Sequence, residues 1–186
     1  MTLLDSILEA NRTFVRPGVF PPLAKNPQRQ FAIFTCMDTR LVDFLEPAMG
    51  IRRGDAKVIK NAGNTLVDAL HGGVIRSLVA AIFLLGVEEV FVIGHQDCGM
   101  AAVDAADLKA RMVARGIDPQ VIDDYVPDLA RWLGAFASPE ENVASVVGKL
   151  RRNPLLPKDV PIHGLIFCPT DGHLELIVRG YTRKER

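Results

Sequence analysis

Two short apolar runs, each followed by polar and sulfur-containing side chains, stand out along the chain. Residues 30–36 and 88–94 are rich in strand-forming side chains and have the length of buried strands. Between them, apolar residues recur at helical spacing over residues 66–85, and Gly86 suits the end of a helix. A strand, a helix and a second strand in this order predict a βαβ unit and therefore a parallel sheet.

The rest of the pattern completes an α/β fold. The chain from Ser138 to Glu141 has the residue types of a capping box, which marks the start of a helix. We therefore expect a mostly parallel central sheet flanked by helices, with a C-terminal antiparallel edge hairpin. The further predicted helices cover residues 2–13, 41–49, 101–115 and 139–152, and the further strands cover 57–60, 162–168 and 174–178. Residues 116–137 are predicted to be irregular, with short helical pieces.

The two ends of the chain have their own patterns. Four prolines within residues 15–29 predict an extended arm after the N-terminal helix, and the basic tail 179–186 is predicted to be loose. The length suits one domain, residues 1–186, with a sizeable core. The arm and the apolar face of the long helix offer more contact surface than one small body covers, so we predict a homodimer or a dimer-based oligomer.

Charge and composition exclude several classes of partner. Basic and acidic residues number 22 each, so nothing favours binding to nucleic acid or to an anionic membrane surface. No apolar run reaches the roughly 18 residues of a membrane span. Asp5 and Glu9 interrupt the apolar N-terminus, which is unlike a signal peptide. We expect a cytoplasmic protein whose three cysteines serve metal binding, catalysis or packing.

The side chains that follow the two strands carry the candidate chemistry. Cys36 ends the first strand, and His95 and Cys98 follow the second. In open α/β sheets, sites form beyond the carboxyl ends of such strands. Zinc binds thiolates and imidazoles, and catalytic zinc sites commonly have three protein ligands with one position left for water. A cysteine or histidine in either motif alone is more often a packed core residue, but the two motifs together predict a zinc site.

Asp38 and Arg40 follow Cys36 at intervals of two residues. In extended backbone such residues face the same way, so we predict that all three point into one pocket. The carboxylate could bind the fourth metal position or accept a hydrogen bond from metal-bound water, with the arginine keeping it ionised and oriented. An ordinary surface ion pair is the alternative.

Three motifs together resemble the β-class carbonic anhydrases. They are Cys-x-Asp-x-Arg at 36–40, Asn-Ala-Gly-Asn at 61–64 and His-x-x-Cys-Gly at 95–99, in this order and spacing. The close resemblance spans about residues 30–100. Within the family, the chain resembles a compact microbial subgroup. Lys60 stands where many members have arginine.

The resemblance implies a fold, a reaction and a set of site residues. It implies a zinc enzyme with a parallel-core sheet, built from dimers, that reversibly hydrates carbon dioxide to bicarbonate by zinc-bound hydroxide. It also implies one zinc ion per chain, bound by Cys36, His95 and Cys98, with Asp38 and Arg40 as the catalytic pair beside the metal.

Two other functions remain open from the sequence. The subgroup includes relatives that hydrolyse carbonyl sulfide or carbon disulfide, so the motifs do not choose among these small substrates. A non-catalytic, zinc-stabilised assembly or sensing protein is the alternative from another class. Asp38 and Arg40 argue against it, because a purely structural zinc site does not need them.

Other candidate residues have simpler interpretations. We predict that Cys168 is a small buried side chain in an inner strand and that His71 lies on a face of the long helix. Trp132 is expected in the core or in a subunit contact. His163 and His173 flank the last hairpin, and we expect no second metal site there.

Overall fold

The computed structural model describes residues 1–16, 18 and 20–181. The strands are β1 (Phe31–Cys36), β2 (Ala56–Asn61), β3 (Glu89–His95), β4 (Ile162–Phe167) and β5 (Leu174–Val178). The helices are α1 (Leu3–Val15), α2 (Leu45–Ala48), α3 (Gly73–Leu85), α4 (Ala105–Ala114), α5 (Pro119–Tyr125), α6 (Leu129–Leu133) and α7 (Pro139–Arg152). Short 3-10 turns cover Thr39–Leu41, Ala62–Asn64 and Gly99–Ala102.

The five strands form one sheet in the order β2-β1-β3-β4-β5. The first four are parallel, and β5 pairs antiparallel with β4 at the edge. This arrangement confirms the predicted fold. Because β1 and β3 are parallel neighbours, with Thr35 opposite Ile93, their carboxyl ends lie side by side.

Helices and loops cover both faces of the sheet, which explains why five of the six residues of β1 are apolar. All six residues of β1 are buried. Successive side chains alternate between the faces, so Ala32 and Phe34 pack in the cluster that includes residues of α3 and α7. Phe31 and Ile33 pack on the other side in the cluster that contains Leu45 of α2.

Helix α7 approaches the sheet closely because two strands carry glycine beneath it. A Cβ atom at Gly94 of β3 or at Gly164 of β4 would lie 2.7 Å from a side-chain methyl of Val143. Ser138 caps the helix, and its hydroxyl accepts the backbone N–H of Glu141 at 3.2 Å. The seating of α7 therefore depends on the two glycines, and it fixes the position of Asn142, the neighbour of Val143.

The long helix is shorter than predicted. Helix α3 begins at Gly73, so the prediction of helix over residues 66–72 is wrong. The Asp68 carboxylate accepts the backbone N–H groups of Leu70 and His71, each at 2.9 Å. Such a local bond competes with helical hydrogen bonding. His71 consequently lies in the turn before the helix, and its predicted place on a helix face is wrong.

Two further side chains are less buried than predicted. Cys168 lies just beyond β4, is half-buried, and its sulfur is 3.0 Å from the Thr170 hydroxyl. Trp132 is 58% exposed, which excludes the core of this chain and leaves the subunit contact as a prediction. The predicted tail falls mostly on residues 182–186, which lie outside the described residues. No helix among the described residues is both long enough and apolar enough to cross a membrane.

Candidate metal centre

Three potential metal ligands converge at the carboxyl ends of β1 and β3. Cys36 is the last residue of β1, His95 is the last residue of β3, and Cys98 follows three positions later. All three are buried, and their ligand atoms lie within 4.8 Å of one another. The cluster forms because neighbouring parallel strands end at the same edge of the sheet.

The free lone pair of His95 and the spacing of the two sulfur atoms fit a zinc ion. The Nδ1 atom of His95 is 2.9 Å from the Gln96 carbonyl oxygen, and because a carbonyl only accepts, Nδ1 carries the hydrogen. The buried Nε2 atom then keeps a lone pair, and no group in the described part of the chain hydrogen-bonds to it. The Sγ atoms of Cys36 and Cys98 are 4.0 Å apart, close to the separation of about 3.8 Å for two sulfurs each about 2.3 Å from a tetrahedral zinc ion.

The two thiols differ in acidity. Burial raises the pKa of both, but the neighbouring His95 imidazole and hydrogen bonds from backbone N–H groups outweigh burial at Cys36 and lower its pKa to about 7. At Cys98 burial prevails, and the negative charge of Cys36 adds to it, so the pKa rises to about 11. Cys36 is thus the thiol that reaches the metal-binding thiolate form more readily.

One of the backbone donors to Cys36 comes from a turn for which the sequence predicted no role. The N–H of Gly63 donates to the Cys36 sulfur at 3.3 Å. The motif Asn61–Asn64 is visible in the sequence, but which atom it faces depends on the pairing of β1 with β2. No sequence signal names the sulfur as its partner.

Asp38 and Arg40 form a two-pronged ion pair beside the ligands. Arg40 donates from Nε to Asp38 Oδ1 at 3.0 Å and from a terminal nitrogen to Oδ2 at 2.9 Å. These bonds lower the pKa of Asp38 to about 2 despite a smaller opposing effect of burial. The same Oδ2 atom is 3.7 Å from His95 Nε2, so the ionised carboxylate reaches the edge of the ligand cluster.

The backbone conformation that brings Asp38 and Arg40 together differs from the predicted one. Residues 36, 38 and 40 do not alternate along an extended strand, because Thr39–Leu41 form a 3-10 turn. Asp38 caps that turn by accepting the Arg40 backbone N–H at 2.9 Å. Arg40 also donates to the Asp97 carboxylate and carbonyl oxygen at 2.8 and 2.7 Å. The arginine therefore joins the loops that follow β1 and β3.

An open pocket of about 460 Å³ gives access to the cluster. Cys36, Asp38, Arg40 and Cys98 line it. Thr39 and five apolar or glycine positions complete its wall, namely Met37, Ala62, Gly63, Gly99 and Met100. The pocket therefore offers a polar centre within a largely apolar surround.

His163 lies at the start of β4, at the opposite end of the sheet from this cluster. Its Nδ1 accepts the Gly180 backbone N–H at 3.0 Å, and its Nε2 is 2.7 Å from Glu89 Oε1. Burial lowers its pKa more than Glu89 raises it. These contacts tie the chain after β5 to the sheet.

Comparisons with known proteins agree with this geometry. A family model described as carbonic anhydrase matches residues 31–174. The crystal structure of β-carbonic anhydrase isoform I from Trichomonas vaginalis is 43% identical, covers 97% of this chain and 100% of that chain, and superposes with a TM-score of 0.93.

Two curated relatives show the range of activities among similar proteins. β-Carbonic anhydrase 1 of Mycobacterium tuberculosis is 33% identical over 94% of this chain and 97% of its own length. Carbon disulfide hydrolase of Acidithiobacillus thiooxidans is also 33% identical, over 78% of this chain and 76% of its own. The family match over most of the chain and the near-complete overlap with solved relatives show that this chain belongs to the β-carbonic anhydrase family.

Proposed function

We propose that this protein is a zinc-dependent carbonic anhydrase, which reversibly hydrates carbon dioxide to bicarbonate. The observation that carries the proposal is the convergence of Cys36, His95 and Cys98 beside the Asp38 carboxylate held by Arg40. Structural zinc sites commonly have four protein ligands, whereas catalytic ones keep a position open. An open pocket with three ligands and an ion pair therefore supports catalysis over a non-catalytic assembly or sensing role.

Zinc bound by this cluster would lower the pKa of water to about 7 and so supply hydroxide at neutral pH. The chain's own residues hold and orient the reactants. Arg40 occupies both oxygens of Asp38 and keeps the carboxylate ionised and fixed. Oδ2 lies close enough to the ligand cluster to accept a hydrogen bond from the attacking water and to direct its lone pair at the substrate.

The pocket wall suits carbon dioxide, which is linear, uncharged and apolar. Met37, Ala62 and Met100 offer apolar surface without a charged group. Such a substrate needs little more than a small space beside the nucleophile. Product bicarbonate is charged, so we expect it to leave this apolar wall readily for water.

Hydrolysis of carbon disulfide or carbonyl sulfide at the same site is the second candidate function. The similarity to a carbon disulfide hydrolase is the observation that favours it. Both molecules are linear, with an electrophilic carbon, and the same attack would release hydrosulfide. Stopped-flow hydration of carbon dioxide, run beside a sulfide-release assay on one preparation, distinguishes the two activities. Zinc binding with turnover of none of the three substrates would instead support the non-catalytic role.

The first prediction concerns the ion pair. Asp38→Ala and Arg40→Ala should keep zinc, because three protein ligands remain, but should lose turnover by roughly a hundredfold or more. In the first variant nothing orients the attacking water, and in the second the carboxylate is no longer held. The measurement is the rate of carbon dioxide hydration together with zinc content.

Arg40→Lys is the matched control, because it keeps the charge and removes the two-pronged geometry. If positioning matters, the lysine variant should also lose turnover, although less than Arg40→Ala. Wild-type turnover in Asp38→Ala would mean that the ion pair takes no part in the reaction.

We also infer that the protein acts in the cytoplasm as a homodimer or a dimer-based oligomer. Free thiols such as those of Cys36 and Cys98 stay reduced in that compartment. Apolar side chains on the surface of α1 and α3 support assembly, among them Leu4, Ile7 and Phe83.

A further inference from the structure

We propose that the turn at residues 61–64 acts as a hydrogen-bond donor that tunes the Cys36 ligand, and that Asn142 of α7 is the positioning residue that holds this turn. The inference deepens the proposed function and rests on Cys36 binding the metal. It assigns a role to the Asn-Ala-Gly-Asn motif, whose backbone faces the metal ligands without contributing a ligand itself.

The donor is the backbone N–H of Gly63, 3.3 Å from the Cys36 sulfur. A hydrogen bond to a thiolate stabilises its negative charge and withdraws electron density from the sulfur. It also fixes the direction in which the remaining lone pairs point. Loss of a hydrogen-bond partner of this kind, outside the ligand set, typically lowers metal affinity by about 10- to 100-fold.

The turn cannot be rigid on its own. Gly63 has a φ of +68° and Asn64 a φ of +44°, and two successive residues in the left-handed region are unfavourable for an isolated chain. A Cβ atom at Gly63 would lie 2.7 Å from Met100 Cβ and 3.0 Å from Phe136 Cε1. Glycine is thus required here both by the backbone angle and by the closeness of its neighbours.

Asn142 supplies support from a distant part of the chain. Its side-chain nitrogen donates to the Gly63 carbonyl oxygen at 3.1 Å and to Asn64 Oδ1 at 3.2 Å. Asn64 is buried, so loss of this donor would leave an acceptor without water to replace it. Asn142 therefore holds both left-handed residues of the turn.

The position of Asn142 is set by the packing of α7 on the sheet. The next residue, Val143, is fully buried against Gly94 and Gly164. Gly94 immediately precedes His95, so the surface on which α7 rests includes the strand end that carries a metal ligand. Helix, turn and sulfur consequently form one connected path, from Val143 through Asn142 and Gly63 to Cys36.

The test uses protein loaded with ¹¹³Cd in place of zinc and labelled with ¹⁵N. A hydrogen bond from an amide to a metal-bound sulfur transmits scalar coupling between the amide proton and the cadmium nucleus. Wild-type protein should show this coupling at Gly63. Asn142→Ala should weaken or abolish it and should raise the zinc dissociation constant, measured by chelator competition, by about tenfold or more.

Two further variants separate positioning from general damage. Asn142→Asp keeps the shape of the side chain but removes its N–H donors, so it should also weaken the Gly63 coupling. Ser145→Ala changes an exposed residue of the same helix and should leave both the coupling and the zinc dissociation constant unchanged.

The outcomes distinguish this inference from the proposed function. Couplings from cadmium to the β-protons of Cys36 and Cys98 report ligation by themselves. If they are present and Gly63 shows no coupling in wild-type protein, or the same coupling and zinc affinity in Asn142→Ala, the inference is wrong and the ligand assignment stands. If the Cys36 β-protons show no coupling in wild-type protein, the ligand assignment and this inference both fail.

Discussion

At the residue scale, burial gives the three candidate ligand side chains their chemical character. His95 is 1% exposed, and its Nε2 atom has no hydrogen-bond partner among the described residues. An unsatisfied polar atom in such a place destabilises the fold by about 1–3 kcal/mol. A metal ion would satisfy that nitrogen and both neighbouring thiols at once, so we expect metal binding to stabilise the folded chain.

This argument predicts the effect of removing one ligand. Cys98→Ser should lose most of its zinc and unfold at a lower temperature than the wild-type protein, because a hydroxyl is a poor zinc ligand and the metal contributes to folding. Cys168→Ser is the matched control, since Cys168 lies outside the ligand cluster and should keep wild-type zinc content. Elemental analysis that found full zinc occupancy in Cys98→Ser would contradict the ligand assignment.

The sequence predicted the residues of the candidate centre better than their supports. Cys36, His95 and Cys98 could be grouped because strand ends are visible as the ends of apolar runs. Asn142 could not be found in this way, since it lies 79 residues from Gly63 and meets it only when α7 rests on the sheet. The predicted place of Cys168 within the strand is wrong, because β4 ends at Phe167, one residue before the end of the apolar pattern.

At the element scale, local side-chain bonds decide where helices begin. Apolar periodicity continues through residues 66–72, but the Asp68 carboxylate binds two backbone N–H groups there and holds a turn. Periodicity reports which side chains face the core and does not report this competition. Helix α7 was predicted with its observed bounds because Ser138 and Pro139 mark its start in the sequence itself.

The cap of α7 gives a prediction at this scale. Ser138→Ala should destabilise the protein by about 1 kcal/mol, which corresponds to a fall of roughly 2–4 °C in Tm for a chain of this size. The cause is the loss of the acceptor for the Glu141 N–H. Thermal unfolding followed by circular dichroism measures it, with Ser145→Ala as the mid-helix comparison. Equal losses in the two variants would show that the cap contributes nothing specific.

At the scale of the whole molecule, the part of the chain that the structure describes leaves the apolar side of the N-terminal helix uncovered. None of the residues of α1 is buried, although Leu4, Ile7 and Leu8 form an apolar side. A 13-residue helix is marginal in water without packing. The following arm is held beside the edge strand β2, where the Lys57 ammonium group donates to the Lys25 carbonyl oxygen at 2.5 Å. Packing of α1 against a second copy of the chain would supply the missing contacts.

We therefore predict a homodimer that depends on this helix. Light scattering should give at least twice the chain mass of 20.4 kDa, and removal of residues 1–16 should shift the protein toward the monomer. Leu8→Glu places a charge on the apolar side and should act in the same direction, whereas Glu9→Gln on the polar side should not. A full-length monomer across the micromolar range would contradict the prediction.

The order of the ligands along the chain has a consequence for synthesis. All three lie between residues 36 and 98, whereas α7 and β4 follow later. A ribosome therefore synthesises all three residues before the helix that carries Asn142 and before β4, the strand that completes the parallel part of the sheet. The nascent chain therefore has all three candidate ligand side chains before it has the layer that covers and orients them, so the finished geometry of the centre forms only after α7 and β4 have been synthesised.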